Sequence, residues 1–305
     1  MFKIISNIRK KIDSFLSHSD GIIKDSCADD LVKVVDFSNV LLRIETTNHC
    51  NFKCIFCTHN KLTRSQNLME WALYEKIILE AEHLGFKTLD LRNFGEPLLD
   101  KTLEEKSKFA IKHGFRKIYV HTNGYFLTKE RYNKLYESGL TWFIISLSPR
   151  REFDVTRGEG YYDTILNNLK DISTNKVDGS IVIDYINTGK SSDDEIRDFK
   201  NELENFGYEI REEISLHNWA DDNSDIKCND IKICQRLWNS FTVLVDGKVA
   251  LCCLDYDGRN IVGDLNTQSI KEIINSAEYI KFRKSHLDKN LIGICKKCNM
   301  PYVKD

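Results

Sequence analysis

The placement of cysteine constrains this chain more than any other feature. Ten of its 305 residues are Cys, and seven of these fall into two sets. The first set, Cys50-Asn-Phe-Lys-Cys54-Ile-Phe-Cys57, has C-x3-C-x2-C spacing. Three thiolates on one short loop can hold one face of an iron–sulfur cube and leave its fourth iron without a protein ligand. A structural zinc asks instead for four ligands in a closed tetrahedron, which His49 or His59 would have to complete. The second set is Cys234, Cys252, Cys295 and Cys298. Four thiolates suit a fully ligated iron–sulfur cluster or an all-cysteine zinc site, and spacing alone does not separate the two. Clustered cysteines in a reducing compartment point to metal or redox chemistry rather than to disulfides.

The surrounding texture is that of an α/β chain. Strand-like runs at 41–46, 88–93, 118–122, 142–147, 181–186 and a short 213–217 alternate with helix-like segments at 70–84, 101–113, 128–138, 161–173 and 193–206. Such alternation predicts a parallel sheet. Six units are fewer than the eight of a full barrel, so a partial barrel and an open sheet fit the pattern equally. Near residue 225 the texture changes. FTVLV, the turn Asp246-Gly247 and KVALCC predict a β-hairpin, followed by a helix-like stretch at 269–285 and the final ICKKCNMPYVKD. The expected organisation is a helical extension over 1–39, a core over 40–225 and a small domain over 226–305. In the extension Ile4, Ile8, Ile12 and Phe15 share one helical face, for packing on the core or, as the alternative, for lying on a membrane surface.

Lys+Arg number 44 against Asp+Glu 46, a balance without the basic footprint of a nucleic-acid binder. No apolar run approaches the roughly 18 residues of a membrane span, and the N-terminus lacks the apolar core of a secretory signal. The expected location is the cytoplasm.

The first cysteine loop, with Phe56 directly before the third Cys, resembles the signature of the radical S-adenosylmethionine (SAM) superfamily. The resemblance runs over roughly 40–225. It implies a partial (β/α)6 barrel like that of triosephosphate isomerase, with a cluster whose open iron binds the amino and carboxylate groups of SAM. An electron from that cluster yields a 5′-deoxyadenosyl radical, which takes a hydrogen atom from a C–H bond. Asn93-Phe94-Gly95-Glu96-Pro97 is similar to the family's G-G-E segment, with Phe94 in place of its first Gly. On the same resemblance Thr122, Asn123 and Ser146, at the ends of the third and fourth strands, face SAM, and Arg157 lies near its carboxylate. The cofactor-binding residues so implied are Phe56, Gly95, Glu96, Thr122, Asn123, Ser146 and Arg157.

The C-terminal set, Cys234-x12-Gly247-x4-Cys252 with Cys295-x2-Cys298, resembles the SPASM or shortened twitch extension of radical SAM proteins. Gly263-Asp264-Leu265, Ser269-Ile270 and Glu272-Ile273 look like its link to a helix. The expected cofactors are therefore SAM and two 4Fe–4S clusters, one auxiliary because no cysteines follow Cys298. Cys253, beside a ligand, is the candidate hydrogen-atom donor, and His217 the candidate base in a segment with Trp219, Asp221 and Asp222. Cys27 and Cys228 are left over. The resemblance implies an electron donor such as a flavodoxin or ferredoxin. The expected reaction is oxidation of a small polar substrate such as a sugar, an aminocyclitol or a similar alcohol. Its rivals are an epimerase using Cys253, a peptide-modifying maturase, and a zinc-stabilised interaction protein without SAM chemistry.

Overall fold

The structure is a computed structural model that describes residues 32–34, 36–177, 180–213, 218–221 and 233–299. Cys27, His217, Asp222, Cys228 and almost all of the N-terminal extension lie outside the described residues. Asp36–Asp305 form one compact unit and Met1–Val35 a separate one. Among the described residues no helix is long and apolar enough to cross a membrane.

Nine strands form a single sheet in the order β6-β5-β4-β3-β2-β1-β7-β8-β9. They are β1 (Leu41–Ile44), β2 (Thr88–Asp90), β3 (Lys117–Thr122), β4 (Leu140–Ser146), β5 (Ile181–Ile186), β6 (Glu209–Glu213), β7 (Ser240–Val243), β8 (Lys248–Ala250) and β9 (Ile261–Asp264). All pairings from β6 through β1 to β7 are parallel. The expected hairpin is present as the antiparallel pair β7–β8. Its first strand joins the core sheet, with Leu41 beside Ser240 and Ile44 beside Val243.

Helices follow the strands, as parallel pairing requires. α1 (Trp71–Leu84) ends at Gly85, which takes a left-handed conformation at φ 89°. α2 (Leu103–Lys112), α3 (Lys129–Glu137), α4 (Arg150–Arg157), α5 (Tyr162–Ser173) and α6 (Asp193–Asn205) complete the core set. α6 starts with a reciprocal capping box between Ser192 and Glu195. α7 (Arg236–Asn239) precedes β7.

The sixth strand is described at Glu209–Glu213, its backbone paired with β5 from Val182 to Ile186; the expected strand at 213–217 lies, beyond its first residue, outside the described residues. One expectation needs correction. The stretch 269–285 is two helices, α8 (Ile270–Ile274) and α9 (Ala277–Leu287). Ser269 caps the first and Ser276 the second, so a new N-cap interrupts the run. α4 was not anticipated from the pattern.

The strands alternate sharply. Leu42, Ile44, Leu89, Ile118, Val120, Phe143, Ile145 and Ile183 form one buried apolar set. The opposite face carries Arg43, Asp90, Tyr119 and Trp142 side by side in register. His121 and Asp184 share that polar face by strand parity. A parallel sheet whose two faces were both simply packed would read as continuous apolar runs. Here one face is built for polar contacts.

Candidate active site

The three-cysteine loop leaves the C-terminal end of β1, where α/β folds place ligands. Cys50, Cys54 and Cys57 are half-buried free thiols. Burial pushes the thiol of Cys50 up to about 12 and those of Cys54 and Cys57 up to about 11. Thiols this desolvated become thiolates when a metal supplies the compensating charge.

The loop is locked by backbone contacts. Asn48 accepts from the Asn67 N–H at 2.7 Å and donates to the Ser65 carbonyl at 3.0 Å. Glu96 N–H donates to the His49 carbonyl at 2.7 Å. Gly95, at φ 108°, lies so close that a Cβ there would stand 2.7 Å from the Thr47 carbonyl oxygen and 2.8 Å from Asn48 Cα. The buried Glu96 carboxylate accepts from Leu98 N–H at 3.0 Å, Thr122 Oγ1 at 2.6 Å and Asn123 N–H at 2.8 Å. Burial pushes its carboxyl up to about 7, against those three donors. Asn123 in turn donates to Asn51 Oδ1 at 2.8 Å, next to Cys50. One carboxylate thus ties the ends of β2 and β3 to the cysteine loop.

Arg157 is buried at the end of α4. Its guanidinium donates to Ser148 Oγ at 2.6 Å and Ser146 Oγ at 3.0 Å. It stacks 4.9 Å from the Phe56 ring and 5.4 Å from Phe153. Hydroxyls and ring faces hold it, while its charge remains available to an anion.

Phe94, which departs from the family pattern, is buried against Trp219 at 5.2 Å and Tyr256 at 5.6 Å between ring centroids. Trp219 Nε1 donates to the Phe56 carbonyl at 2.9 Å. A glycine would leave this aromatic bridge to the C-terminal region unfilled. His59 Nε2 sits 2.8 Å from the Asn48 carbonyl, which gives it a structural partner inside the loop.

The second cysteine set also comes together. Cys234 precedes α7, Cys252 follows β8, and Cys295 and Cys298 lie on and after the turn Gly293–Lys297. The Cys295 thiol is pushed up to about 12, first by burial and then by Cys234 and Cys298. Cys252 is raised well above the usual thiol range by burial, with Cys253 and Cys295 adding to it. Cys234 N–H donates to His286 Nδ1 at 3.3 Å. Asn218 and Asn299 exchange backbone-to-side-chain hydrogen bonds at 3.2 and 3.1 Å, fastening the C-terminal pair to the segment carrying Trp219.

Cys253 lies beside this set and acts on both Cys252 and Cys234. Its sulfur accepts from Arg236 at 3.5 Å. Burial pushes its thiol up, but Arg43, Arg236 and Arg92 outweigh burial and hold it below the usual thiol range. His217 falls outside the described residues, so the histidine seen on the polar face is His121. Burial, followed by Arg92, Arg43 and Arg211, lowers its pKa well below the ordinary value.

Sequence reading missed two features here. Glu45, fully buried, makes a two-pronged pair with Arg64 at 2.8 and 2.9 Å and accepts from Phe94 N–H at 3.2 Å and Val245 N–H at 3.0 Å. It joins the exit of the cysteine loop, the Gly95-Glu96 segment and the end of β7. The other is the Arg43–Asp90–Arg92–His121 group, whose signal was the polar alternation in LLRI, TLDLR and KIYVHT.

Among the described residues no three His, Cys, Asp or Glu side chains converge as ligands of a single metal ion. A cubane does not ask them to, since each thiolate holds a different iron. Two sets of desolvated, unbridged thiols are a donor chemistry that fits such clusters.

Comparison with known proteins agrees. The Radical SAM superfamily model matches residues 44–203, and the SPASM iron–sulfur cluster-binding domain matches 234–299. An uncharacterised protein of Methanocaldococcus jannaschii is 31% identical over 172 residues, 55% of this chain and 54% of that protein. This match thus spans about half the length of that relative. The S-adenosyl-L-methionine-dependent 2-deoxy-scyllo-inosamine dehydrogenase of Niallia circulans is 25% identical over 268 residues, 85% of this chain and 92% of that enzyme. The crystal structure of BtrN in complex with AdoMet and 2-DOIA superposes with a TM-score of 0.63 at 22% identity, covering 86% of this chain and 93% of that one, which establishes the shared fold. The chain belongs to the radical SAM superfamily and carries a SPASM-type iron–sulfur domain at its C-terminal end.

Proposed function

We propose that this protein is a radical SAM dehydrogenase that oxidises a small alcohol to a carbonyl compound. The observation that carries the reading is that the sheet whose β1 leads into the three-cysteine loop also sets Arg43 against Cys253, beside the second cysteine set. Similarity to a SAM-dependent dehydrogenase over most of both chains supports it. Cys50, Cys54 and Cys57 would hold the SAM-binding 4Fe–4S cluster, and Cys234, Cys252, Cys295 and Cys298 the auxiliary one. Bound there, these groups would supply the radical chemistry for hydrogen-atom abstraction and an acceptor for the second electron.

The remaining roles belong to the chain. Arg157, buried and without a carboxylate at ion-pair distance among the described residues, would hold the carboxylate of SAM, with Ser146 and Ser148 fixing its orientation. Gly95, Glu96, Thr122 and Asn123 would form the wall that receives the rest of the cofactor, and Phe56 would shield it from water. Four thiolates in the second set leave no iron there for substrate, which suits electron transfer better than ligand activation.

The test is turnover of the reconstituted enzyme on candidate alcohols, read by product mass in deuterated water. Dehydrogenation predicts a product two mass units lighter and turnover that largely survives Cys253→Ser. A product of unchanged mass carrying one solvent deuterium, lost in Cys253→Ser, would establish epimerisation instead.

A further inference from the structure

The wall beside the second cysteine set carries buried hydrogen-bond donors that lack acceptors. α9 passes along that set. Tyr279, Arg283 and His286 follow one another at helical spacing on one face of it, and all three are fully buried. Arg283 fixes the row in place. Its guanidinium donates to the carbonyls of Leu237 and Ile274, each at 2.8 Å, and stacks 4.8 Å from the Tyr279 ring. Leu237 belongs to α7, the short helix that follows Cys234.

His286 touches a member of the set directly. Its Nδ1 accepts from the backbone N–H of Cys234 at 3.3 Å. A ring nitrogen that accepts carries no proton, so the proton of this imidazole is on Nε2, one ring's width from Cys234. Nε2 is buried and has no hydrogen-bond partner among the described residues. The same is true of the Tyr279 hydroxyl. The Tyr279 ring is held between Arg283 and the Phe241 ring, 6.4 Å away. Burial pushes its hydroxyl above the ordinary range; Arg283 opposes that and Cys252 adds to it, so the hydroxyl lies within electrostatic reach of a second cysteine of the set. Folded proteins rarely leave a buried donor unpaired, because the hydration it gave up is not recovered. Here two such donors share one helix face, one at Cys234 and the other in reach of Cys252. An iron–sulfur cluster on these thiolates brings the acceptors that both lack.

We infer that His286 Nε2–H and the Tyr279 hydroxyl donate hydrogen bonds to the sulfur atoms of the auxiliary cluster and make it a better electron acceptor. The inference rests on the assignment of Cys234, Cys252, Cys295 and Cys298 to that cluster, and it deepens the dehydrogenase reading. Reduction adds negative charge to a cluster. Donors at its sulfurs stabilise the reduced form more than the oxidised one and so raise the reduction potential. The fall in potential on removing them measures this effect, whereas a merely structural role would change iron content alone.

The experiment is a redox titration of the anaerobically reconstituted full chain, followed by electron paramagnetic resonance. Added SAM alters the signal of the cluster that binds it, which leaves the other signal as that of the auxiliary cluster. Tyr279→Phe removes only the hydroxyl, and His286→Leu removes the ring nitrogens. Each should make the auxiliary cluster about 3- to 10-fold harder to reduce, a midpoint lower by about 30–60 mV for one electron, with the midpoint of the SAM-binding cluster unmoved. Iron content is the fold control. A second measurement needs no variant: wild type grown with ¹⁵N-histidine should show a nitrogen coupling on the reduced auxiliary cluster. Midpoints unmoved in both variants at full iron content, or no such coupling in the wild type, would overturn the inference. Zinc in place of iron in the second set would instead overturn the assignment on which it rests. Failure to oxidise any alcohol would count against the dehydrogenase reading and leave the hydrogen bonds intact.

Discussion

Replacing Gly95 by alanine is a sharp local perturbation of the segment packed on the cysteine loop. At φ 108° the backbone is in a region that side chains rarely adopt, at a cost of about 1–2 kcal/mol. The added Cβ would also stand 2.7 Å from the Thr47 carbonyl oxygen and 2.8 Å from both Asn48 Cα and the His49 carbonyl oxygen. These are backbone atoms that cannot rotate away, so overpacking adds about 1–3 kcal/mol. The strain falls on His49, whose carbonyl accepts from Glu96 N–H and which directly precedes Cys50. Gly85→Ala is the internal control. Its φ is 89°, yet nothing lies within 4 Å of the added Cβ. Anaerobic urea unfolding of both variants should therefore show Gly95→Ala less stable than Gly85→Ala by about 1–3 kcal/mol. Only Gly95→Ala should also lose iron and SAM affinity. Equal stability and equal iron in the two variants would refute the claim that Gly95 is required by close approach to the cysteine loop.

Other outcomes follow from single contacts. Phe94→Ala removes a buried ring that bridges Trp219 and Tyr256 and should cost about 3–5 kcal/mol in chemical unfolding. Arg157→Lys cannot reach Ser146 and Ser148 with one planar fork and should weaken SAM binding about 10- to 100-fold in equilibrium dialysis, with the auxiliary cluster's spectrum unchanged. Glu96, raised from 4.5 to about 7, binds its proton more tightly folded than unfolded. Its contribution is therefore present below the unfolded value and is lost as pH rises through 7. In SAM-free protein the stability of Glu96→Gln relative to wild type should accordingly increase between pH 5 and 8; no change in that difference would remove the basis for the shift.

The elements legible from sequence are those where local pattern and tertiary demand agree. α1 and the hairpin at Asp246-Gly247 follow from helical spacing and turn chemistry. β6 is hidden from composition because EIREE is mostly charged, while ISLH, which reads as a strand, lies outside the described residues. Its position is set by pairing with β5 at the sheet edge, where charge is tolerated. The insertion of β7 beside β1 is a long-range pairing that no local window reports. The cysteine sets stood out because ligand spacing is a local property. Glu45 and Arg43 did not, since a charged residue inside a strand acquires meaning only when its neighbours across the sheet are known. Phe94 read as a defect in a glycine pattern, and only the distant Trp219 and Tyr256 explain it.

On the proposed assignment Cys50, Cys54 and Cys57 hold a SAM-cleaving cluster while Cys234, Cys252, Cys295 and Cys298 hold another. The measurement is 5′-deoxyadenosine formation with dithionite, together with iron content, in anaerobically reconstituted wild type and in the variant with Cys50, Cys54 and Cys57 all changed to Ala. Product is expected from the wild type and none from the variant, which should lose about half the iron with the auxiliary cluster's spectrum preserved. Equal product from both proteins, or stoichiometric zinc with little iron in the wild type, would contradict it.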